Sequence, residues 1–353
     1  MRVEDLDTPF LTVDLDGLDD NLDRYQRYFD DHGIGLRPHI KTHKCLAIAH
    51  RQLRRGAMGI ACQKLGEAEV MVAGGIDGDV LIPYNIVGAG KLARLAALAR
   101  QARVTVAVDS EYTIDGISAA AATGGVTVGL IVELGRGGRC GVETAAAARD
   151  LAARIDSLPG VEMRGVMAMP TPPEARPFVR EVLDELDRAG LPHPIVSGGS
   201  TPCALTAHEI PELTEHRAGE YCVGGLAHLR RGTHTVAQCA LRLLTTVVSR
   251  PTAGRAILDG GSKALSAATY REEGGASVMG HVVEYPEARF GGASEEHGHL
   301  DVSACAHPPR IGDRVQVIPV HPCPTVNEHD EIAAVRQGRV EAVWRVDARG
   351  KIR

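Results

Sequence analysis

Through the first two-thirds of the chain, short apolar runs alternate with longer stretches rich in Ala, Leu and Arg. The runs at 35–40, 58–62, 79–83, 104–108, 126–133, 163–168, 194–197 and 221–223 have strand length and β-branched content. Most are apolar at nearly every position instead of alternating, as strands covered on both faces are. Between them the spacing of apolar residues predicts helices over 43–54, 65–73, 91–102, 114–122, 145–157 and 174–189, with a short turn near 202–208. Strand–helix repeats imply parallel pairing. Eight of them is the count of a TIM barrel.

After about residue 240 the texture changes. Short β runs at 241–248, 255–259, 277–283, 299–302, 313–318, 331–335 and 339–344 are separated by Gly, Pro and Asp turns without long helical spacers. This predicts an all-β C-terminal domain. The expected division is a barrel over 14–240 and a β domain over 241–353, with residues 1–13 adding a strand to the latter.

Composition narrows the partners. A chain of 353 residues, 44% of them hydrophobic, can bury cores for both domains. A net charge of −6 argues against nucleic acid, and 3% aromatic content leaves few platforms for bases. No Lys/Arg run suggests an anionic membrane surface, and no apolar run is long enough to span a bilayer. The opening Met1-Arg2-Val3-Glu4-Asp5-Leu6-Asp7 is acidic, unlike a signal peptide. A cytoplasmic protein acting on a small molecule is expected. The 8 cysteines include no Cys-x-x-Cys pair, so reduced thiols are expected.

Barrel chemistry sits at the C-terminal ends of the strands. The first run leads into Arg37-Pro38-His39-Ile40-Lys41-Thr42-His43-Lys44. A lysine there can hold an aldehyde cofactor as a Schiff base; the ordinary alternative is a solvated strand end. The fifth run leads into Glu133-Leu134-Gly135-Arg136-Gly137-Gly138-Arg139-Cys140-Gly141. Arg139 in that loop could face a pyridine nitrogen and keep it unprotonated, or could pair with Glu133 or solvent. The seventh ends in Ser197-Gly198-Gly199-Ser200-Thr201-Pro202. Glycines that admit backbone N–H groups to an anion, followed by hydroxyls, suit a phosphate after strand seven; such strings also mark ordinary turns. In the β domain, His321 and Cys323 stand at i and i+2, on one side of an extended segment. Imidazole plus thiolate points to zinc first, with manganese or magnesium as alternatives; a buried Cys beside a surface His is the plainer reading. Ser294-Glu295-Glu296-His297-Gly298-His299 is a further polar cluster, either a support for that site, a general base or an exposed turn.

With these residues in view, the chain resembles the D-threonine aldolase / D-serine dehydratase family, pyridoxal-phosphate enzymes with the alanine-racemase-like fold. The resemblance covers nearly the whole length. It is carried in order by the lysine octet, Gly138-Arg139-Cys140-Gly141-Val142, Arg217-Ala218-Gly219-Glu220-Tyr221, Asp259-Gly260-Gly261-Ser262-Lys263-Ala264-Leu265-Ser266, the cluster from Ser294 and the His-x-Cys segment. It implies pyridoxal 5′-phosphate on Lys41, Arg139 beside the pyridine nitrogen, and Gly199, Ser200, Thr201 and Tyr221 around the phosphate. It implies His321 and Cys323 as ligands of a divalent metal near the substrate's β-hydroxyl, and, by analogy, a homodimer. The implied activity is that of a lyase on D-β-hydroxy-α-amino acids. Dehydration would give a keto acid and ammonia; retro-aldol cleavage would give glycine and an aldehyde. Aldolase-type members usually carry Asp where Cys323 stands, which tilts the expectation toward dehydration. The chain also departs from the pattern. Met169 stands where the family has a Tyr after strand six, no His follows, and Gly224-Gly225-Leu226 lacks an expected acidic residue. An amino-acid racemase and a non-catalytic carrier of the same cofactor are therefore alternatives.

Overall fold

The computed structural model describes residues 1–353 except Asp77 and Arg136. The chain forms two compact units. A barrel unit holds 24–41, 48–219 and 350–353, and a β unit holds 1–23, 42–47 and 220–349.

In the barrel unit, eight parallel strands lie in the spatial order first, eighth, seventh and so on to second. They are Gly35–Pro38, Ile60–Ala61, Val80–Ile82, Val104–Val108, Val128–Leu134, Val161–Ala168, Ile195–Gly199 and Glu215–Ala218. A parallel bridge from His39 to Ala61 joins the first strand's end to the second and closes the ring. The fourth and fifth strands are buried along their whole length, which explains their continuous apolar character. Ala61, Leu81, Ala107, Ile131, Met167 and Ile195, one from each of strands two to seven, pack together as an interior cluster. The helices outside are cut where the sequence offers caps. Ser110 accepts from the Thr113 N–H at the start of Glu111–Gly124, and Thr144 from the Ala147 N–H at the start of Ala145–Ser157. No helix among the described residues is long and apolar enough to cross a membrane.

The expected eighth strand at 221–223 is corrected. Residues Glu220–Cys222 form a single 3-10 turn, and the eighth strand is Glu215–Ala218. Its Glu-His-Arg sequence hid it, because all of its residues are buried despite their polarity. The Arg37 guanidinium donates from Nε and Nη2 to the Glu215 carboxylate at 2.7–3.0 Å, and Nη1 donates to the Asp79 carbonyl at 3.0 Å. Ser197 Oγ donates to Glu215 at 2.5 Å and accepts from Arg217 Nη1. Paired charges thus replace apolar packing between the first, seventh and eighth strands.

In the β unit, Leu241–Thr252 is the central strand. It pairs with Phe10–Asp14, Arg255–Leu258 and Arg314–Pro319. Register shifts at Val247 and Ser249 bend it, so that different partners use different stretches. Phe10–Asp14 inserts between it and Glu331–Arg336. Leu243, Val247, Leu258, Phe290, Leu300, Val315 and Val317 fill the core beneath. Two short strands escaped the sequence reading, Tyr270–Arg271 and Arg289–Ala293, as did the short helices Ser262–Leu265 and Pro322–Asn327. The first strand is a two-residue pairing, and the second carries consecutive glycines, which weaken any strand pattern.

Candidate active site

Lys41 stands on one 3-10 turn, Ile40–Thr42, directly after the first barrel strand. Its Nζ donates to Gln63 Oε1 at 3.2 Å, and His39 Nε2 lies 3.1 Å from the same oxygen. Gln63 is fixed in turn by donating its amide to the Pro83 carbonyl. Burial holds the His39 pKa far below its usual range, and the charges of Lys41 and Arg217 push the same way. His39 is therefore a neutral imidazole with its proton on Nε2. Its Nδ1 is buried without a hydrogen-bond partner. The lysine is neither deeply buried nor fully solvated, and one acceptor holds its amine in place.

At the end of the seventh strand, the Gly199 N–H donates to Thr171 Oγ1 at 3.0 Å, and the Ser200 N–H donates to the Arg217 carbonyl at 3.0 Å. Thr201 Oγ1 accepts from the Gly219 N–H at 3.2 Å. Ser200 has a φ of +97°, unusual for a residue with a side chain. Such backbones concentrate at ligand-holding turns. A Cβ on Gly199 would lie 2.8 Å from Arg217 Nη2, so only glycine lets the guanidinium pass behind the loop. Arg217 is buried and donates to the Ala168 carbonyl at 2.9 Å. Burial draws its pKa down to about 10, against the opposing pull of the Glu215 and Glu133 carboxylates. The Gly199 and Ser200 N–H groups are thus already paired within the protein, so what this turn would offer a phosphate is its hydroxyls, with the buried positive charge of Arg217 behind them.

Arg139 is half-exposed. Its Nη2 lies 3.7 Å from Glu133 Oε1 and 3.5 Å from Met169 Sδ. The pairing with Glu133 is thus present, although long. Burial raises the Glu133 pKa, against the opposing Cys140 hydrogen bond and Arg139 charge. Met169, at the position of the missing Tyr, offers a thioether to the guanidinium in place of a hydroxyl. Arg136, in the same loop, lies outside the described residues.

The remaining site residues belong to the β unit. Tyr221 is buried, and its carbonyl accepts from His234 Nε2 at 2.9 Å. His321 and Cys323 do converge, not on an extended segment as expected but at the start of the helix Pro322–Asn327, with His321 at its N-cap, and a residue the spacing did not reveal joins them. Glu220 Oε1 lies 2.7 Å from His321 Nε2 and 3.5 Å from Cys323 Sγ. One donor atom from each of the three residues fits within 4.8 Å of the others. Ligands of one zinc ion, each about 2.0–2.3 Å from the metal, need this proximity. The Thr42 hydroxyl stands 3.3 Å from Cys323 Sγ. Hydrogen bonding to Cys323 and Glu220 raises the His321 pKa to about 10. Burial would raise the Glu220 pKa, but hydrogen bonds from His228 and His321 hold it well below the usual carboxylate range.

Neighbouring sequence motifs brace this cluster. A Cβ on Gly225 would lie 2.8 Å from Pro322 Cδ, so glycine there admits the His-x-Cys segment. Thr325 Oγ1 donates to the Leu265 carbonyl, and His329 Nε2 meets the Ala264 carbonyl at 2.8 Å, tying the helix Pro322–Asn327 to Ser262–Leu265. The Ser262 and Lys263 N–H groups donate to the Ser294 and Glu295 carbonyls. The cluster from Ser294 is otherwise an exposed turn, with Glu296 pairing Lys263 at 2.6 Å.

Comparison with known proteins agrees with this fold. The sequence matches the family "Alanine racemase, N-terminal domain" over residues 13–227 and "Putative serine dehydratase domain" over 240–335. It is 35% identical to D-threonine aldolase of Arthrobacter sp., over 98% of this chain and 93% of the relative. The crystal structure of D-threonine aldolase from Filomicrobium marinum superposes with a TM-score of 0.89 at 33% identity, covering 99% of this chain and 97% of that one. A D-threo-3-hydroxyaspartate dehydratase variant, described as the metal-free form, superposes equally well at 0.89 with 28% identity, covering 98% of both chains. The chain belongs to the D-threonine aldolase / D-serine dehydratase family, alanine-racemase-like lyases of D-β-hydroxy-α-amino acids.

Proposed function

We propose that this chain breaks down a D-β-hydroxy-α-amino acid by dehydration, with pyridoxal 5′-phosphate on Lys41 and a divalent metal, zinc first, on His321 and Cys323. The cofactor supplies an electron sink for charge developing at the substrate's Cα, and the metal supplies a Lewis acid for its β-oxygen. Each of the chain's own residues has a task in this reading. Lys41 offers the amine that holds the aldehyde, and Gln63 orients it. Gly199, Ser200 and Thr201 wrap the phosphate, with Arg217 as the cation behind them, and Tyr221 is read as a further phosphate-binding residue. Arg139 faces the pyridine nitrogen and, being permanently charged, keeps it unprotonated. Neutral His39 cannot donate a second positive charge near the lysine. We further read the working form as a cytoplasmic homodimer.

The observation that carries this reading is the convergence of His321 and Cys323. A metal acting on a hydroxyl separates lyase chemistry from racemisation, which needs none. The thiolate of Cys323, a softer ligand than the aldolases' Asp, favours dehydration over cleavage.

The test is a product assay on the purified protein with D-serine, D-threonine and D-3-hydroxyaspartate. Keto acid and ammonia are expected, abolished by chelation and by Cys323→Ala. Glycine and aldehyde would replace dehydration by aldol cleavage. Turnover that survives chelation, or a D/L exchange without bond cleavage, refutes the proposal. A yellow colour fixed by borohydride in the parent and lost in Lys41→Ala is expected as well.

A further inference from the structure

The metal reading above uses two protein ligands, His321 and Cys323. We propose that Glu220 is a third, and that His228 exists to hold it in that role. This rests on the metal reading and goes beyond it.

The two carboxylate oxygens of Glu220 have separate duties. Oε2 accepts from His228 Nε2 at 2.7 Å. His228 is buried, and its Nδ1 faces Thr233 Oγ1 at 3.3 Å, which itself stands 3.2 Å from His234 Nδ1. His234 is anchored on the Tyr221 carbonyl. A carboxylate acceptor places a His228 proton on Nε2, so His228, packed beside the Thr233 hydroxyl, orients one oxygen of Glu220 from behind. Oε1 is left facing His321 Nε2 and Cys323 Sγ. A ligating carboxylate whose other oxygen is hydrogen-bonded is the usual supporting arrangement of a metal site.

Charge points the same way. A thiolate and a neutral imidazole bring one negative charge to a divalent ion in a partly buried place. Glu220 brings the second and makes the complex neutral, which lowers the cost of burying the ion. Three protein ligands also leave a tetrahedral ion one open position, the arrangement of catalytic rather than structural zinc. On entry the metal would take the place of two protons, the one between His321 and Glu220 and that of the Cys323 thiol, and both leave to solvent.

Glu220 therefore acts as an added anchor for the ion. It should raise affinity and narrow the ion's free coordination to the single place a substrate hydroxyl takes.

The experiment compares the full-length parent with Glu220→Gln, Glu220→Asp, His228→Gln and Cys323→Ser, each carrying pyridoxal phosphate. Zinc affinity is read by competition with a chromophoric chelator, and the ligand field by the visible spectrum of the cobalt-substituted protein. Glu220→Gln should bind zinc at least about 100-fold more weakly, with the sulfur-to-cobalt band retained and the d–d bands shifted. His228→Gln should lose about 10-fold. Glu220→Asp, whose shorter arm cannot reach while still on His228, should fall between them. Unchanged affinity and spectrum in Glu220→Gln, with binding lost in Cys323→Ser, would overturn the third ligand and leave the two-ligand reading standing. A parent that binds no zinc or cobalt would overturn both. Should Glu220→Gln fail to fold, Glu220→Asp and His228→Gln decide, since parent-like affinity and spectrum in both contradict the proposal.

Discussion

Replacing Glu215 by Gln tests whether the polar seam of the barrel is a structural necessity. The substitution keeps shape and one oxygen acceptor but removes the charge that faces Arg37 and Arg217. Arg37 is 1% exposed and would keep as charged partner Asp79, whose carboxylate lies 3.5 Å away. Removing one member of a buried pair costs about 3–5 kcal/mol, chiefly because the other charge stays in low dielectric. In a unit of roughly 200 residues each kcal/mol shifts the midpoint by about 2–4 °C, so a fall of about 10 °C is expected for the barrel transition. Burial pushes the Glu215 pKa up, but Arg37 more than reverses this, leaving it below the 4.5 of a free glutamate. A carboxylate with a depressed folded-state pKa stabilises fully above the unfolded value and loses that contribution as pH falls through the folded one. The parent should therefore lose the stabilisation below about pH 4.5, whereas Glu215→Gln should lack that part of the acid dependence. Thermal scans by circular dichroism from pH 3 to 8 read both effects. The double variant Arg37→Met/Glu215→Leu, with no charge left in the pair, should be more stable than Glu215→Gln. A loss below about 1 kcal/mol, or a double variant worse than the single, refutes the claim that charge pairing holds the first and eighth strands.

Other substitutions probe the site. Ser200→Gly should raise stability by about 1 kcal/mol by relieving the positive φ, seen as a higher melting temperature without cofactor. The same change should release pyridoxal phosphate more readily, measured by equilibrium dialysis, because the turn is no longer preset. Gly199→Ala drives a methyl group to 2.8 Å from Arg217 Nη2 and should weaken cofactor retention about 10-fold or more by the same measurement. Gly165→Ala would place its Cβ 1.9 Å from the Ile195 carbonyl oxygen at a φ of +129°, so no native barrel should form; a soluble, cofactor-binding Gly165→Ala would contradict the close packing of strands six and seven.

Elements announced by apolar runs were readable before any coordinates. The helices Leu65–Ala73 and Ala145–Ser157 fall on the expected residues, and in the second the buried Ala145, Ala148, Ala152 and Ile155 repeat every three or four positions. Seven barrel strands overlap their apolar runs. The eighth was displaced because Glu215, His216 and Arg217 look like a surface loop to any rule that equates burial with hydrophobicity. Their partners, Arg37 and Ser197, are distant in sequence, so the compensation that makes burial tolerable exists only once strands one, seven and eight are side by side. The same reasoning covers the site. Lys41, His321 and Cys323 carry their own chemistry at local spacings, and Gly199 to Thr201 form a recognisable string. Glu220 has no such local signal. It sits in a motif quoted for resemblance, about a hundred residues from the pair it joins. In the stretch that lacks the expected acidic residue, Gly225 admits Pro322 without a side chain. Glu220, four residues before Gly224, faces His321 and Cys323 from a turn instead of a strand. Two errors of the sequence reading therefore have one cause. Taking residues 221–223 for a strand hid both the polar eighth strand before them and the turn that presents Glu220.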